Sequence, residues 1–172
     1  QGYMIILLKE ENTSYLILGE DAKNPHRHYG ATFIFRLGKT SPYVFEAPYP
    51  LFEVNTAEAA LYLFKDIKGK ALIFSDVHPQ ANLDGSSDLI KPHNKNSYFN
   101  LGSQAILRSE GDKPFMVVQV RGYSSPDPFV PLKGSKSDAD VFLAFNTGAE
   151  PGEFSPLEED LYNILSQEKL KI

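Results

Sequence analysis

The chain contains no cysteine, which removes disulfides, a thiol nucleophile and thiolate metal ligation from consideration. It also lacks any apolar run near the roughly eighteen residues a membrane helix requires, so no membrane insertion is expected. Basic charge is short: 17 Lys and Arg against 22 Asp and Glu give a net charge of −5. The lysines are scattered rather than gathered into a stripe with aromatics, so no nucleic-acid partner is expected. No Gly-x-Ser-x-Gly elbow, phosphate-binding glycine loop or Gly-x-Gly-x-x-Gly occurs. Serine-triad hydrolysis and nucleotide binding therefore have no positive support. No repeat or linker divides the chain, and its 172 residues suit a single α/β domain over 1–172. It opens on Gln1 rather than Met; the expectation taken from this is a processed bacterial protein, exported or periplasmic, with the cytoplasm as alternative.

What is present reads as strands first. Tyr3 to Lys9 and Ser14 to Glu20 are apolar runs separated by the polar turn Glu-Glu-Asn-Thr, which predicts a β-hairpin. Gly30 to Leu37 alternates, with Thr32, Ile34 and Arg36 on one side and Ala31, Phe33 and Phe35 on the other. With Pro42 to Ala47 after it, this opening quarter reads as an antiparallel meander. At Asn55 the pattern changes. Asn55 and Glu58 have capping-box spacing, Ala60, Phe64 and Ile67 recur at helical spacing, and Gly69 supplies a stop. Lys70 to Asp76 then reads as a buried strand, 97–109 as a helix, and Lys113 to Gly122 and Ala139 to Asn146 as strands. Ser155, Pro156 and Glu158 open the last helix, whose apolar stripe is Leu157, Leu161, Ile164 and Leu165. Alternating strands and helices imply parallel crossovers, right-handed by default. The fold class expected is α/β: a mixed, centrally parallel sheet with an N-terminal hairpin and helices packed on it.

Two long irregular segments, 77–95 and 122–138, follow the C-terminal ends of strands expected to be parallel, where open α/β sheets place ligand sites. The segment after Ala47 does the same, so three loops are expected to meet on one rim. Asp76-Val77-His78 has the Asp-x-His form of metallophosphoesterases, but the chain has no Gly-Asn-His to complete a two-metal site. His78, Asn82, Asp84, Asp88 and His93 share the first loop and could bind a metal or position a water, yet their spacing matches no compact helical metal motif. The plainer alternative is a solvated loop of Asx turns. Glu46 and Glu53 flank a segment stiffened by Pro48 and Pro50, as a catalytic carboxylate or as a helix-entry charge. Arg121 ends an apolar run, either to clamp a substrate carboxylate or to pair with Glu53 or Asp88. His26 and His28 alternate, a pattern more typical of surface decoration than of catalysis.

Four segments taken in order, VFEAPYPLFEVNTAEAALYLF, ALIFSDVHPQAN, SDLIKPHNKNSYFN and MVVQVRGY, resemble a bacterial group related to the zinc carboxypeptidase and N-formylglutamate amidohydrolase fold. The likeness runs from about Ala31 to Asn146 and rests on strand order and strand endings. It implies a zinc-dependent hydrolase acting on an amide of a peptide or amino-acid derivative, with a small-molecule or peptide ligand as partner. Where the group reads Pro-His-Pro and His-Gly, this chain has Pro48-Tyr49-Pro50 and Arg121-Gly122. Both expected histidine ligands are thus replaced, and Glu53 is the carboxylate retained. Residue types and resemblance together give Glu53 and His78 as expected catalytic residues, Arg121, Tyr49 and Asn82 as expected substrate-binding residues, and His78, Asp88 and His93 as zinc ligands if a metal is held. The alternative it leaves is a degenerate, non-catalytic domain that binds a carboxylate-bearing ligand or a protein partner.

Overall fold

The computed structural model describes residues 2–25, 30–75, 77–91, 93–122 and 156–167. They fall into two compact units, Gln1–Tyr123 and Ser124–Ile172. His26, His28, Asp76, Ser155, the expected strand Ala139 to Asn146 and the second long loop past Gly122 lie outside the described residues.

The first unit is built on a six-stranded mixed sheet. Its strands are β1 (Tyr3–Glu10), β2 (Thr13–Glu20), β3 (Ala31–Leu37), β4 (Tyr43–Ala47), β5 (Ala71–Ser75) and β6 (Met116–Gln119), in the spatial order β1-β2-β3-β5-β4-β6. The expected hairpin pairs in continuous register from Tyr3 opposite Glu20 to Glu10 opposite Thr13. β3 pairs antiparallel with β2 and with β5. The expected meander therefore stops at three strands, because β4 does not pair with β3: it lies between β5 and β6, parallel to both. The physical reason is burial. Every residue of β4 is buried, and Tyr43, Val44, Phe45 and Ala47 expose 1% or less. A near-continuous apolar run of this kind belongs in a covered, parallel position.

Helix α1 (Thr56–Asp66) joins β4 to β5, and helix α2 (Tyr98–Glu110) lies between β5 and β6. The two helices cover opposite faces. Phe99 and Ile106 of α2 cluster with Ala31, Phe33, Val44 and Ile73. On the other face the α1 residue Phe64 lies 5.9 Å, ring to ring, from Tyr15. Arg36 ties that face together by donating from Nη2 to the carbonyls of Phe64 and Lys65 (3.1 and 3.2 Å) at the C-terminal end of α1. There it adds a second donor to carbonyls that already accept the amides of Gly69 and Lys68.

The caps divide the expectations. Ser97 caps α2 as expected for a helix starting there, its hydroxyl accepting from the Asn100 amide at 3.1 Å, and Gly111 closes the helix with φ 61. Asn55 occupies the N-cap of α1 but is left-handed, φ 66, and its side chain makes no cap bond. The Thr56 hydroxyl donates instead to the Glu53 carbonyl at 2.7 Å. The tight entry after Pro50 turns Asn55 out of the extended conformation that side-chain capping needs. In the second unit, α3 (Pro156–Gln167) buries Leu161 and Leu165 of the expected stripe, together with Glu158.

α2 reaches the sheet through Gly102. A Cβ there would lie 2.0 Å from Cε1 of the buried Phe33 ring. Alanine gains up to about 1 kcal/mol of helix propensity, whereas overpacking a core costs about 1–3 kcal/mol. Gly102→Ala is therefore expected to lower the stability of the chain, read as a reduced urea midpoint with unchanged slope; an unchanged or raised midpoint would contradict this close approach.

Candidate functional site

β4, β5 and β6 run parallel, so the segments that leave their C-terminal ends share one edge of the sheet. Among the described residues, those leaving the three strands do meet there, with only Arg121 and Gly122 representing the segment after β6. The Tyr49 hydroxyl, after β4, donates to Oδ1 of Asp88, in the loop after β5, at 2.5 Å. The Tyr49 hydroxyl oxygen also accepts the Leu89 amide at 2.9 Å. Glu53 receives Arg121, just past β6, through Nε and Nη2 at 2.6 to 3.0 Å, and accepts the Gly122 amide at 2.9 Å. The Arg121 guanidinium also sits 5.0 Å from the centre of the Tyr49 ring. Tyr49, Asp88, Glu53 and Arg121 thus form one connected chain across the three loops.

This chain consumes the groups that the sequence offers for chemistry. Both Glu53 oxygens are occupied, and Arg121 is neutralised by the bidentate pair, the structural alternative the sequence allowed. Tyr49 is buried, and burial followed by the Asp88 carboxylate pushes its phenol up to about 12. It stays a neutral donor at any physiological pH. Asp88 also faces Lys91, 3.5 Å from Oδ2.

Beside this brace lies a cavity of about 560 Å³ at the C-terminal end of β5 and the N-terminal end of α2. His78 and Asn82 line it, with Phe52, Ser75, Val77, Ser86, Ser87, Leu89, Asn96, Ser97, Tyr98 and Phe99 among the others; Tyr49, Glu53, Asp88, His93 and Arg121 do not. Its walls are held by backbone-directed side chains. The Ser87 hydroxyl donates to the Pro79 carbonyl and accepts the Asn82 amide. Asn94 donates to the carbonyls of Gly85 and Asp88, and Asn100 of α2 to those of Leu89 and Asn94. Ser86 holds the exposed Asp84 carboxylate below its ordinary range. The long loop is therefore an ordered series of turns, as Asx chemistry allows.

His78 is exposed, with its ring edge-on to Phe52 at 4.4 Å. Its Nδ1 accepts the Gln80 amide at 3.0 Å, so the neutral imidazole carries its hydrogen on Nε2. The Ser75 hydroxyl accepts the Val77 amide, and that of Ser97 accepts the Asn100 amide. Each hydroxyl hydrogen is then left to donate.

The described residues do not fit a zinc centre. Among the described residues no group of three or more His, Asp or Glu could hold a metal. His93 is exposed and lines no part of the cavity, Asp88 is engaged by Tyr49 and Lys91, and Nδ1 of His78 is taken. No family model, curated protein or solved structure matches the chain.

The sequence pointed to His78 and Asn82 but passed over Phe52, Ser75, Asn96, Ser97 and Tyr98. Ser97 carried the usable signal: a helix cap directly after the loop of a parallel strand sits on the ligand edge. Glu46 turns out to lie inside the sheet, not at the rim. It exposes 4%, its Oε1 meets the Ser103 hydroxyl of α2, and Oε2 accepts Gln119 Nε2 at 3.2 Å.

Two outcomes follow from these contacts. Tyr49→Phe strands the Leu89 amide and Asp88 and should cost about 1–3 kcal/mol of unfolding free energy; a loss near zero would show that the brace contributes nothing. Burial raises the Glu46 pKa above 4.5, so the folded chain holds that proton more tightly than the unfolded one. Stability is then fullest in acid and declines as pH rises from 4.5 through the folded value. Glu46→Gln should remove this decline, its melting temperature gaining on the parent as pH rises above about 4.5; parallel curves would reject a raised Glu46 pKa.

Proposed function

We propose that this chain is a ligand-binding α/β domain that holds a small, carboxylate-bearing molecule in the cavity beside His78 without turning it over. The donor character of the lining carries this reading. His78, with Nε2–H, Ser75 and Ser97, with their hydroxyl hydrogens, and Asn96, with its amide, all line the cavity. Four donors of this kind suit the lone pairs of a carboxylate. Phe52, Val77, Leu89, Tyr98 and Phe99 supply the apolar remainder, the usual composition of a small-molecule site.

Binding is favoured over the amide hydrolysis implied by the resemblance for two reasons. A histidine base presents an unprotonated nitrogen to its substrate, whereas His78 offers Nε2–H while Nδ1 is held by Gln80. The second carboxylate that hydrolysis would need, Glu53, is closed by Arg121 and Gly122.

A panel of small carboxylates, including N-acyl amino acids and short peptides, should be screened by calorimetry. Where a binder is found, His78→Ala should weaken it about tenfold, in line with the loss of one hydrogen bond to a charged group at about 1.5–3 kcal/mol. Arg121→Ala should lower stability and leave the intrinsic affinity within about threefold, since one ion pair there serves the fold. Hydrolysis of any panel member, or affinity lost with Arg121 and kept without His78, would overturn the reading.

A further inference from the structure

β1 is the edge strand of the sheet, and among the described residues it pairs only with β2. It carries five consecutive apolar residues, Met4 to Leu8, that are exposed on both of its faces: Ile5 and Leu7 by 70% and 69%, and Met4, Ile6 and Leu8 by 38 to 46%. Sheet edges are ordinarily protected by proline, by charge within the strand, by a bulge or by shortness. β1 has no proline and no bulge, and its only charges are its last two residues, Lys9 and Glu10. It is eight residues long, and its register with β2 is unbroken. The opposite edge, β6, is only four residues.

We infer that the occupant of this edge is the β1 strand of a second copy, paired antiparallel about a two-fold axis perpendicular to the sheet at Ile6. Such an axis keeps the faces of the two sheets aligned, so paired residues have the same parity along the strand. Centred on Ile6 it sets Ile6 against Ile6, Ile5 against Leu7 and Met4 against Leu8, with Lys9 meeting only Tyr3. The apolar run is thus self-complementary, and no like charges face each other. Centring one residue later would set Ile5 against Lys9 and Met4 against Glu10. The interface is isologous, and it satisfies the open backbone donors and acceptors of both edges.

The test uses the full chain, in which any introduced cysteine is the only one. Light scattering over a wide concentration range should show twice the monomer mass, dissociating on dilution. Under mild oxidation Ile6→Cys should yield a disulfide-linked dimer, because the two sulfurs face each other across the axis. Leu83→Cys, at a fully exposed position of the loop after β5, should not. Ile6→Lys sets two ammonium groups together and should weaken the dimer about tenfold or more. A chain that is monomeric at all concentrations would overturn the inference, as its own residues or nothing then cover the edge. So would a dimer in which Ile6→Cys and Leu83→Cys cross-link alike.

Discussion

The arrangement of the first unit depends on the burial of one short strand. β4 is covered on both faces, with Tyr43, Phe45 and Ala47 toward α1 and Val44 and Glu46 toward α2. A strand of this kind cannot be an edge, so the chain must bring β5 to one side of it and β6 to the other, each through a helix. That brings the C-terminal ends of three parallel strands together at one edge. The backbone leaving them is dense in polar groups that no ladder satisfies. Such groups must find partners or remain hydrated, and most of the side-chain chemistry at this edge meets that demand.

Reactive residue types here are occupied in structural work. Glu53, Arg121, Tyr49 and Asp88, which the sequence offered for catalysis, substrate binding or metal ligation, are linked to one another. Each link closes a pair of loops: β4 to β6 through Glu53 and Arg121, and β4 to β5 through Tyr49 and Asp88. The Glu53 carboxylate, gripped by Arg121 Nε and Nη2 and by the Gly122 amide, has both oxygens engaged and is not open to a substrate. The cavity is left with neutral donors that already have their orientation set by backbone amides. Preorganised donors suit recognition because little ordering remains to be done when a ligand arrives.

Legibility in the sequence followed periodicity and failed where contact geometry decided. The hairpin, β3, β5 and both described ends of α2 could be read because alternation, apolar run length and the Ser97 cap are local signals. The position of β4 was not local: its place between β5 and β6 depends on which faces α1 and α2 cover. The meeting of residues that leave three parallel strands followed from strand direction alone, and so was also readable. The division of labour on that rim was not, because Tyr49 and Arg121 look the same in sequence whether they face a ligand or a neighbouring loop. Glu46 misled for a related reason. A carboxylate near a strand end is read as a rim residue, whereas one residue of register places it inside, against Ser103.

That buried carboxyl connects the core of the sheet to the cavity. Ser103 meets Glu46 and also donates to the Phe99 carbonyl at 3.2 Å, one turn back along α2. Phe99 and the cap residue Ser97 are cavity wall. The position of this helix end therefore rests on three contacts: the Glu46 carboxyl beneath it, the close seat of Gly102 on Phe33, and Asn100 reaching into the long loop. Ionising Glu46 would place a charge in the least hydrated part of that support, at a cost that only neutral donors from Ser103 and Gln119 offset. An isolated hydrogen bond to the same hydroxyl could have come from a glutamine. A protonated glutamate satisfies the contact equally well in acid and makes the support of the cavity wall, unlike the brace of Tyr49, sensitive to rising pH.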